Sequence, residues 1–191
     1  MLRRYRKGAL LIEEGDHSDR LFIILSGKVR AFASGEDGRE ITFGHYGPGE
    51  YMGEISLDGG PRSASVEVVE ATTCSVVDRP IIEGHIARDP QFAFELLAKV
   101  IRRARVLTAR TKDLALNSVY GRLVGMLNSH AVAVADGSRL VPEHMTHQDM
   151  ANMLGCSRAM VTRLLKDLLK SGCVVQQGGL LRLMRELPPK W

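Results

Sequence analysis

The sequence predicts an α+β fold: an N-terminal all-β barrel or sandwich, one long helix, and a C-terminal helix-turn-helix followed by a β-hairpin. Three observations carry that prediction. Up to about residue 80, short apolar segments alternate with glycine-rich turns. Beyond Pro90 the apolar period lengthens to steps of three and four, through residues 91–118 without a Pro or a Gly. Around Gly155 two helical segments meet at a short turn, and two apolar runs follow about Gly178–Gly179. The expected boundaries are residues 1–90, 91–116 and 117–191.

Composition bounds the reading. Of 191 residues, 45% are hydrophobic and 25% charged, the balance of an ordinary water-soluble protein with enough chain for a core. No apolar run approaches the ~20 residues needed to span a bilayer. The basic start, "MLRRYRKGALLIEEGDHSDR", has neither the sustained apolar segment nor the small-residue cleavage site of a secretory signal. A cytoplasmic location, with no membrane partner, is the expectation. Cys74, Cys156 and Cys173 are odd in number and scattered, which argues against a disulfide framework or a metal site. Charge is divided unevenly. Residues 1–90 hold 11 Lys/Arg against 15 Asp/Glu, a net of −4, while residues 91–191 hold 15 against 7, a net of +8. A basic C-terminal half suggests an anionic partner, of which nucleic acid is the commonest.

Taken in order, the strand candidates are "LFIILSG" with "KVRAFAS", the hairpin turn "GEDG" at 35–38, "REITFGHY", "GPGEYMG" and "SASVEVVEATTCSVVD". In the long helix, Ala93, Leu97, Val100, Ala104, Leu107, Thr111, Leu114 and Ser118 fall on one narrow stripe with small members. That stripe fits a parallel two-helix dimer seam, weaker toward its polar end, or a helix packed on its own barrel. Arg102, Arg103, Arg105, Arg110 and Lys112 decorate the other faces. "NSVYGRLVGMLNSHAVAVAD" reads as a further helix, capped at Asn117 or Ser118, and "GSRLVP" as a short strand.

Residues 147–164, "HQDMANMLGCSRAMVTRL", follow the helix-turn-helix pattern. Ala151 is small, as close helix packing requires, and Gly155 falls where the turn needs positive φ. Met150, Leu154, Cys156, Val161 and Leu164 are the apolar positions that lock the two helices. Thr146 with Asp149, and Ser157, are caps. The second helix would then present Ser157, Arg158, Ala159, Thr162 and Arg163 to base edges in the major groove. Thr146, Lys166 and Lys170, with Arg182 and Arg185 of the wing hairpin, are candidates for phosphates.

Residues 53–65, "GEISLDGGPRSAS", place a carboxylate and a guanidinium on either side of a glycine-rich turn. A surface hairpin with a weak ion pair would explain that, and so would a pocket for a small anion. Backbone N–H groups after Gly53, the guanidinium fork of Arg62 and the hydroxyl of Ser63 all donate, whereas ionised Glu54 only accepts.

The stretch "GPGEYMGEISLDGGPRSASVEV" resembles the phosphate cassette of cyclic-nucleotide-binding domains. With "LIEEGD", "LFIILSGKV", the long helix and the helix-turn-helix in that order, essentially the whole chain resembles the catabolite activator/fumarate–nitrate reductase regulator (CRP/FNR) superfamily, closest to its cyclic-AMP-binding branch. The resemblance implies an N-terminal β-roll of jelly-roll-like barrel form, a long dimerisation helix and a C-terminal winged helix-turn-helix, in a homodimeric transcription regulator, not an enzyme, with residues 93–118 as the dimer seam, double-stranded DNA as target and RNA polymerase as a further partner. It implies cyclic AMP as allosteric ligand, held by Glu54 at the ribose and by Arg62 and Ser63 at the phosphate. Gly53 and Ser56 belong to the cassette, and Ile55 and Ala64 line the pocket. Two departures stand out. Where that branch has adjacent hydroxyl residues for the adenine amino group, this chain has Leu107 and Thr108, which leaves cyclic GMP possible. Where it has a glutamate on the recognition helix, this chain has Ala159, so preference at one base pair should relax. The chain also begins almost on its first strand, so its start is expected upstream. A haem or iron–sulfur sensor on the same scaffold has no diagnostic ligand set here: the cysteines are scattered, and no context marks His17, His45, His85, His130, His144 or His147.

Overall fold

The computed structural model describes residues 1–188. It divides into two compact units, Met1–Thr108 and a second beginning at Ala109. The fold class is the α+β arrangement expected.

In the first unit, strands β1 (Leu2–Tyr5), β2 (Leu10–Ile12), β3 (Leu21–Ser34), β4 (Glu40–Tyr46), β5 (Tyr51–Met52) and β6 (Ser65–Val77) form one antiparallel sheet. β3 and β6 pair along nearly their whole lengths, from Leu21↔Val77 to Phe32↔Ser65. Alternation along both strands sends Ile24, Val29, Ala31, Val66, Val68, Cys74 and Val76 into a common core. The expected turn at 35–38 joins β3 to β4. Between β5 and β6 the chain makes a single 3₁₀ turn, Ile55–Asp58.

Helix α1 (Arg79–Arg88) was not legible in the sequence. Only Ile82 is buried on it, and Gly84 interrupts its middle, so it lacks the apolar period that announces a helix. Helix α2 (Gln91–Leu116) then runs 26 residues, about 39 Å. It carries two stripes. Phe92, Leu96, Lys99 and Arg103 form a half-buried one, and Phe92, Lys99 and Arg103 contact the roll residues Tyr51, Glu50 and Glu54. Leu97 (52% exposed), Ile101 (43%), Val100, Leu107 and Leu114 form an apolar face that the single chain leaves in water. The contacts to the roll are thus made by side chains outside the stripe picked out in the sequence, whose larger members Leu97, Val100 and Leu107 stay exposed.

In the second unit, α3 (Val119–His130) is capped by Ser118, whose Oγ accepts from Gly121 N at 3.1 Å. The sequence reading carried this helix on to Asp136. It stops at His130 because Val132 and Ala133 turn extended and pair, as β7, with Leu140 and Arg139 of β8 (Arg139–Val141). The β-branched Val132 and Val134 favour that outcome. Helices α4 (His147–Leu154) and α5 (Arg158–Lys170) follow, then the wing of β9 (Val174–Gln177) and β10 (Leu180–Leu183). Leu123, Leu127, Met150, Leu165, Leu168 and Leu183 build the core beneath them.

Candidate anion pocket and nucleic-acid interface

The candidate anion pocket is assembled around Gly53. Its φ is +90°, and a side chain there would place Cβ 2.3 Å from Arg62 Nη1 and 2.7 Å from Arg20 O. Glycine is thus required both by backbone conformation and by the closeness of the arginine. Arg62 is only 5% exposed. Its Nη1 donates to Gly53 O (2.7 Å) and Ser56 Oγ (2.6 Å), and its Nη2 to Arg20 O (2.8 Å). Arg62 N donates to Asp16 O, and Arg62 O accepts from Gly15 N, which stitches the cassette to the "LIEEGD" turn. Every one of these side-chain partners is a neutral oxygen. They satisfy the guanidinium's geometry without supplying a counter-charge. Burial accordingly pulls its pKa below the ordinary arginine value, while Glu54, Asp19 and Asp16 oppose the fall from a distance.

Glu54 is not spent on Arg62. Its side chain is 8% exposed, and its Oε1 accepts from Arg103 Nη1 of α2 at 2.5 Å. Arg103 also reaches Glu50 (3.2 Å) and Tyr51 O, and lies 4.6 Å from the Tyr46 ring centroid. Burial opposes its charge, but the coulombic pull and hydrogen bond of Glu54 raise its pKa above the ordinary value. Its Nε is the one buried side-chain polar atom without a hydrogen-bond partner among the described residues. Sequence reasoning had placed Arg103 on an outer face of α2. Its spacing of seven from Leu96 and four from Lys99 marks the stripe to which it belongs.

The other cassette residues take different positions. Ser56 is buried and donates to Ser18 O at 2.8 Å. Ser63 and Ile55 are exposed, and Ala64 is half-buried. Leu107 and Thr108 lie one turn beyond Arg103, both exposed, and the Thr108 hydroxyl donates back to Ala104 O at 2.9 Å.

In the second unit the helix-turn-helix is set by local chemistry. Thr146 and Asp149 close a capping box: Thr146 Oγ1 accepts from Asp149 N (3.1 Å), and Asp149 Oδ2 accepts from Thr146 N (2.9 Å). Gly155 ends α4 at φ 62°, and Ser157 Oγ accepts from Met160 N to start α5. Ala151 and Val161 are fully buried where the two helices meet, and Cys156 is half-buried. Arg122 of α3, which the sequence gave no reason to single out, donates from Nε and Nη2 to Leu154 O (3.1 and 3.0 Å) and from Nη1 to Asn117 O (2.8 Å). It thereby closes the C-terminal end of α4. Replacing it with Met should lower stability by about 1–3 kcal/mol, read as a lower denaturation midpoint, because Leu154 O loses its charged donor.

Ser157, Arg158, Ala159, Thr162, Arg163, Lys166 and Lys170 are all exposed on α5. Three of the phosphate candidates make contacts within the unit. Arg182 bonds Ser138 Oγ (2.8 Å) and pairs with Asp136 (3.0 Å), and Thr146 donates its hydroxyl to Asp149 Oδ2 (2.7 Å). Arg185 is likewise held, by Ser171 O (2.6 Å) and Cys173 Sγ (3.2 Å). Arg182 lies on β10 and Arg185 two residues beyond it, and both guanidinium groups are hydrogen-bonded within the unit. No group of three or more His, Cys, Asp or Glu among the described residues is placed to hold a metal ion, and no helix among them is long and apolar enough to cross a membrane.

Comparison with known proteins adds independent observations. A family model for the cyclic nucleotide-binding domain matches residues 2–89, and one for bacterial regulatory proteins of the crp family matches residues 144–174. The chain is 32% identical over 178 residues to the CRP-like cAMP-activated global transcriptional regulator of Mycobacterium tuberculosis, covering 91% of this chain and 80% of that protein. It is 28% identical to the cAMP-activated global transcriptional regulator CRP of Escherichia coli, covering 87% and 81%. Among solved structures, the c-di-GMP responsive global regulator CLP of Xanthomonas campestris superposes with a TM-score of 0.85 at 23% identity, covering 96% and 93%.

Proposed function

The chain belongs to the CRP family of DNA-binding transcription regulators with a cyclic nucleotide-binding domain, and from that premise we propose that it is a cytoplasmic homodimer whose affinity for DNA is gated by a cyclic nucleotide, cyclic AMP first among them. One observation carries this reading: Arg62 is buried among neutral oxygens, while the neighbouring Glu54 is bonded to Arg103 of α2. A cyclic phosphate would give Arg62 the counter-charge it lacks, with Ser63 and the backbone after Gly53 adding donors. Glu54 suits the ribose 2′-hydroxyl. That contact would draw on the carboxylate that Arg103 holds, so filling the pocket would be felt on α2.

The exposed apolar face of α2 supports a helix-to-helix dimer seam. In such a dimer, two copies of α5 would address half-sites roughly one DNA turn apart. Arg158 and Arg163 suit guanine, Ser157, Ala159 and Thr162 are the other base-facing positions, and Lys166 suits phosphate. RNA polymerase is the expected partner at a promoter.

A different effector is favoured by one observation. Leu107, beside Thr108, offers no polar side-chain atom to a base, so cyclic GMP belongs in the same titration. So does cyclic di-GMP, the effector named for the Xanthomonas regulator. The expected result is that one of these raises operator affinity about ten- to a hundredfold at fixed salt, measured by fluorescence anisotropy. Equal affinity with all of them and with none would remove the gating and leave DNA binding standing.

A further inference from the structure

The strongest unexplained feature lies at the crossing of α4 and α5. His147 Nδ1 is 2.9 Å from Thr162 Oγ1, and that same hydroxyl donates to Arg158 O, one turn back on α5, at 2.9 Å. We propose that His147 and Thr162 act as one base-reading unit whose hydroxyl oxygen only accepts, so that Thr162 selects a base with an exocyclic amino group, cytosine or adenine. This rests on the reading of α5 as the helix that meets base edges.

The argument is one of counting hydrogens. A threonine hydroxyl has a single hydrogen and two lone pairs. A backbone carbonyl can only accept, so the bond to Arg158 O consumes that hydrogen. This back-bond to the preceding turn is a preferred state of threonine in a helix. The ring nitrogen of His147 must therefore carry a hydrogen and donate it, a tautomer fixed by the network. The oxygen keeps one lone pair and has nothing left to give.

A free hydroxyl would be ambivalent, rotating to donate to guanine or thymine or to accept from an amine. With its hydrogen on Arg158 O and His147 at one lone pair, Thr162 has lost that choice. The amine donors of the major groove are cytosine N4 and adenine N6. Its neighbours on the exposed face make the polarity matter. Arg158, Arg163 and Lys166 can only donate, and Ala159 does neither. Ser157 already accepts from Met160 N. The acceptor that Ala159 fails to supply is offered instead by Thr162, three residues later.

The test uses the full chain, in the presence of cyclic AMP and separately of cyclic GMP, against a duplex DNA library with a randomised core. The enriched half-site is then varied one base pair at a time, and affinities are measured at fixed salt. For the unaltered chain, one position should prefer cytosine or adenine on the contacted strand by roughly three- to tenfold. Thr162→Val, which keeps the methyl and loses the oxygen, should flatten that position and no other. His147→Ala should weaken that preference without reversing it, because the hydrogen stays on Arg158 O while the oxygen loses the donor that orients it, and His147→Gln, whose amide can donate, should retain the original preference. Thermal melts accompany each variant, and Thr162→Val decides the matter if His147→Ala fails to fold. Preferences unchanged in Thr162→Val, including a thymine preference held by the methyl group, overturn the inference. Arg158→Ala separates the two levels. If it weakens binding while Thr162→Val changes nothing, only this inference falls. If it too has no effect, or no half-site is enriched, the base-reading role of α5 falls and takes this inference with it.

Discussion

Arg62→Met should lower cyclic-nucleotide affinity by about a hundredfold or more in calorimetric titration, while the melting temperature of the free protein moves little. Charge-assisted hydrogen bonds contribute about 1.5–3 kcal/mol each, and a bidentate hold on phosphate loses two of them. Each 1.4 kcal/mol is about tenfold in affinity. The stability side is a contest. Methionine relieves the burial of a guanidinium whose direct side-chain partners are all uncharged. It also strips Arg20 O of a donor, which costs about 1–3 kcal/mol. The two terms are similar in size and opposite in sign. Arg62→Lys should fall between, since an ammonium restores the charge without the fork. Unchanged affinity in Arg62→Met would place the phosphate elsewhere.

Leu97→Glu combined with Val100→Glu should convert a dimer to a monomer in sedimentation velocity, and abolish high-affinity operator binding with it. Both side chains lie on the exposed apolar face of α2, away from the stripe of Phe92, Leu96, Lys99 and Arg103. In a two-fold seam each substitution is present twice, so four carboxylates would be buried without partners. Even a few kcal/mol per ion exceeds what a short helical seam supplies. The roll should be unaffected, so cyclic-nucleotide binding tests whether the variant is folded. A variant that still sediments as a dimer would move the interface off this face.

Legibility in the sequence followed the range of the interactions. The helix-turn-helix could be read because its determinants are local: Thr146 with Asp149, Gly155, and Ser157 with Met160 act across three or four residues. The β-roll could be read from alternation and glycine turns, which are equally local. Helix α1 could not, because an almost fully exposed helix with a central glycine has no period to detect. Nor could the end of α3, where the strand pairing of Val132 and Ala133 overrode a helical pattern. In the pocket, the roles suggested for Glu54 and Arg62 came from their chemistry. Arg103 did not, because its partners are 49 to 53 residues away and α2 offers several arginines without saying which one is buried. Arg122 was hidden for the same reason, its partner Leu154 lying 32 residues on.

The internal commitments of Arg182 and Arg185 bear on the ionic atmosphere of DNA. Each phosphate neutralised by a protein cation releases condensed counterions, and affinity falls with salt at a slope of roughly −0.9 per phosphate. With Arg182 bonded to Ser138 and paired with Asp136, and Arg185 bonded to Ser171 and Cys173, a phosphate contact from either would first have to break those bonds. If both stay so held on DNA, the slope is shallower by roughly 0.9 for each of them. Because phosphate contacts are made on operator and decoy sites alike, that loss weakens both and leaves their ratio to the base-reading side chains.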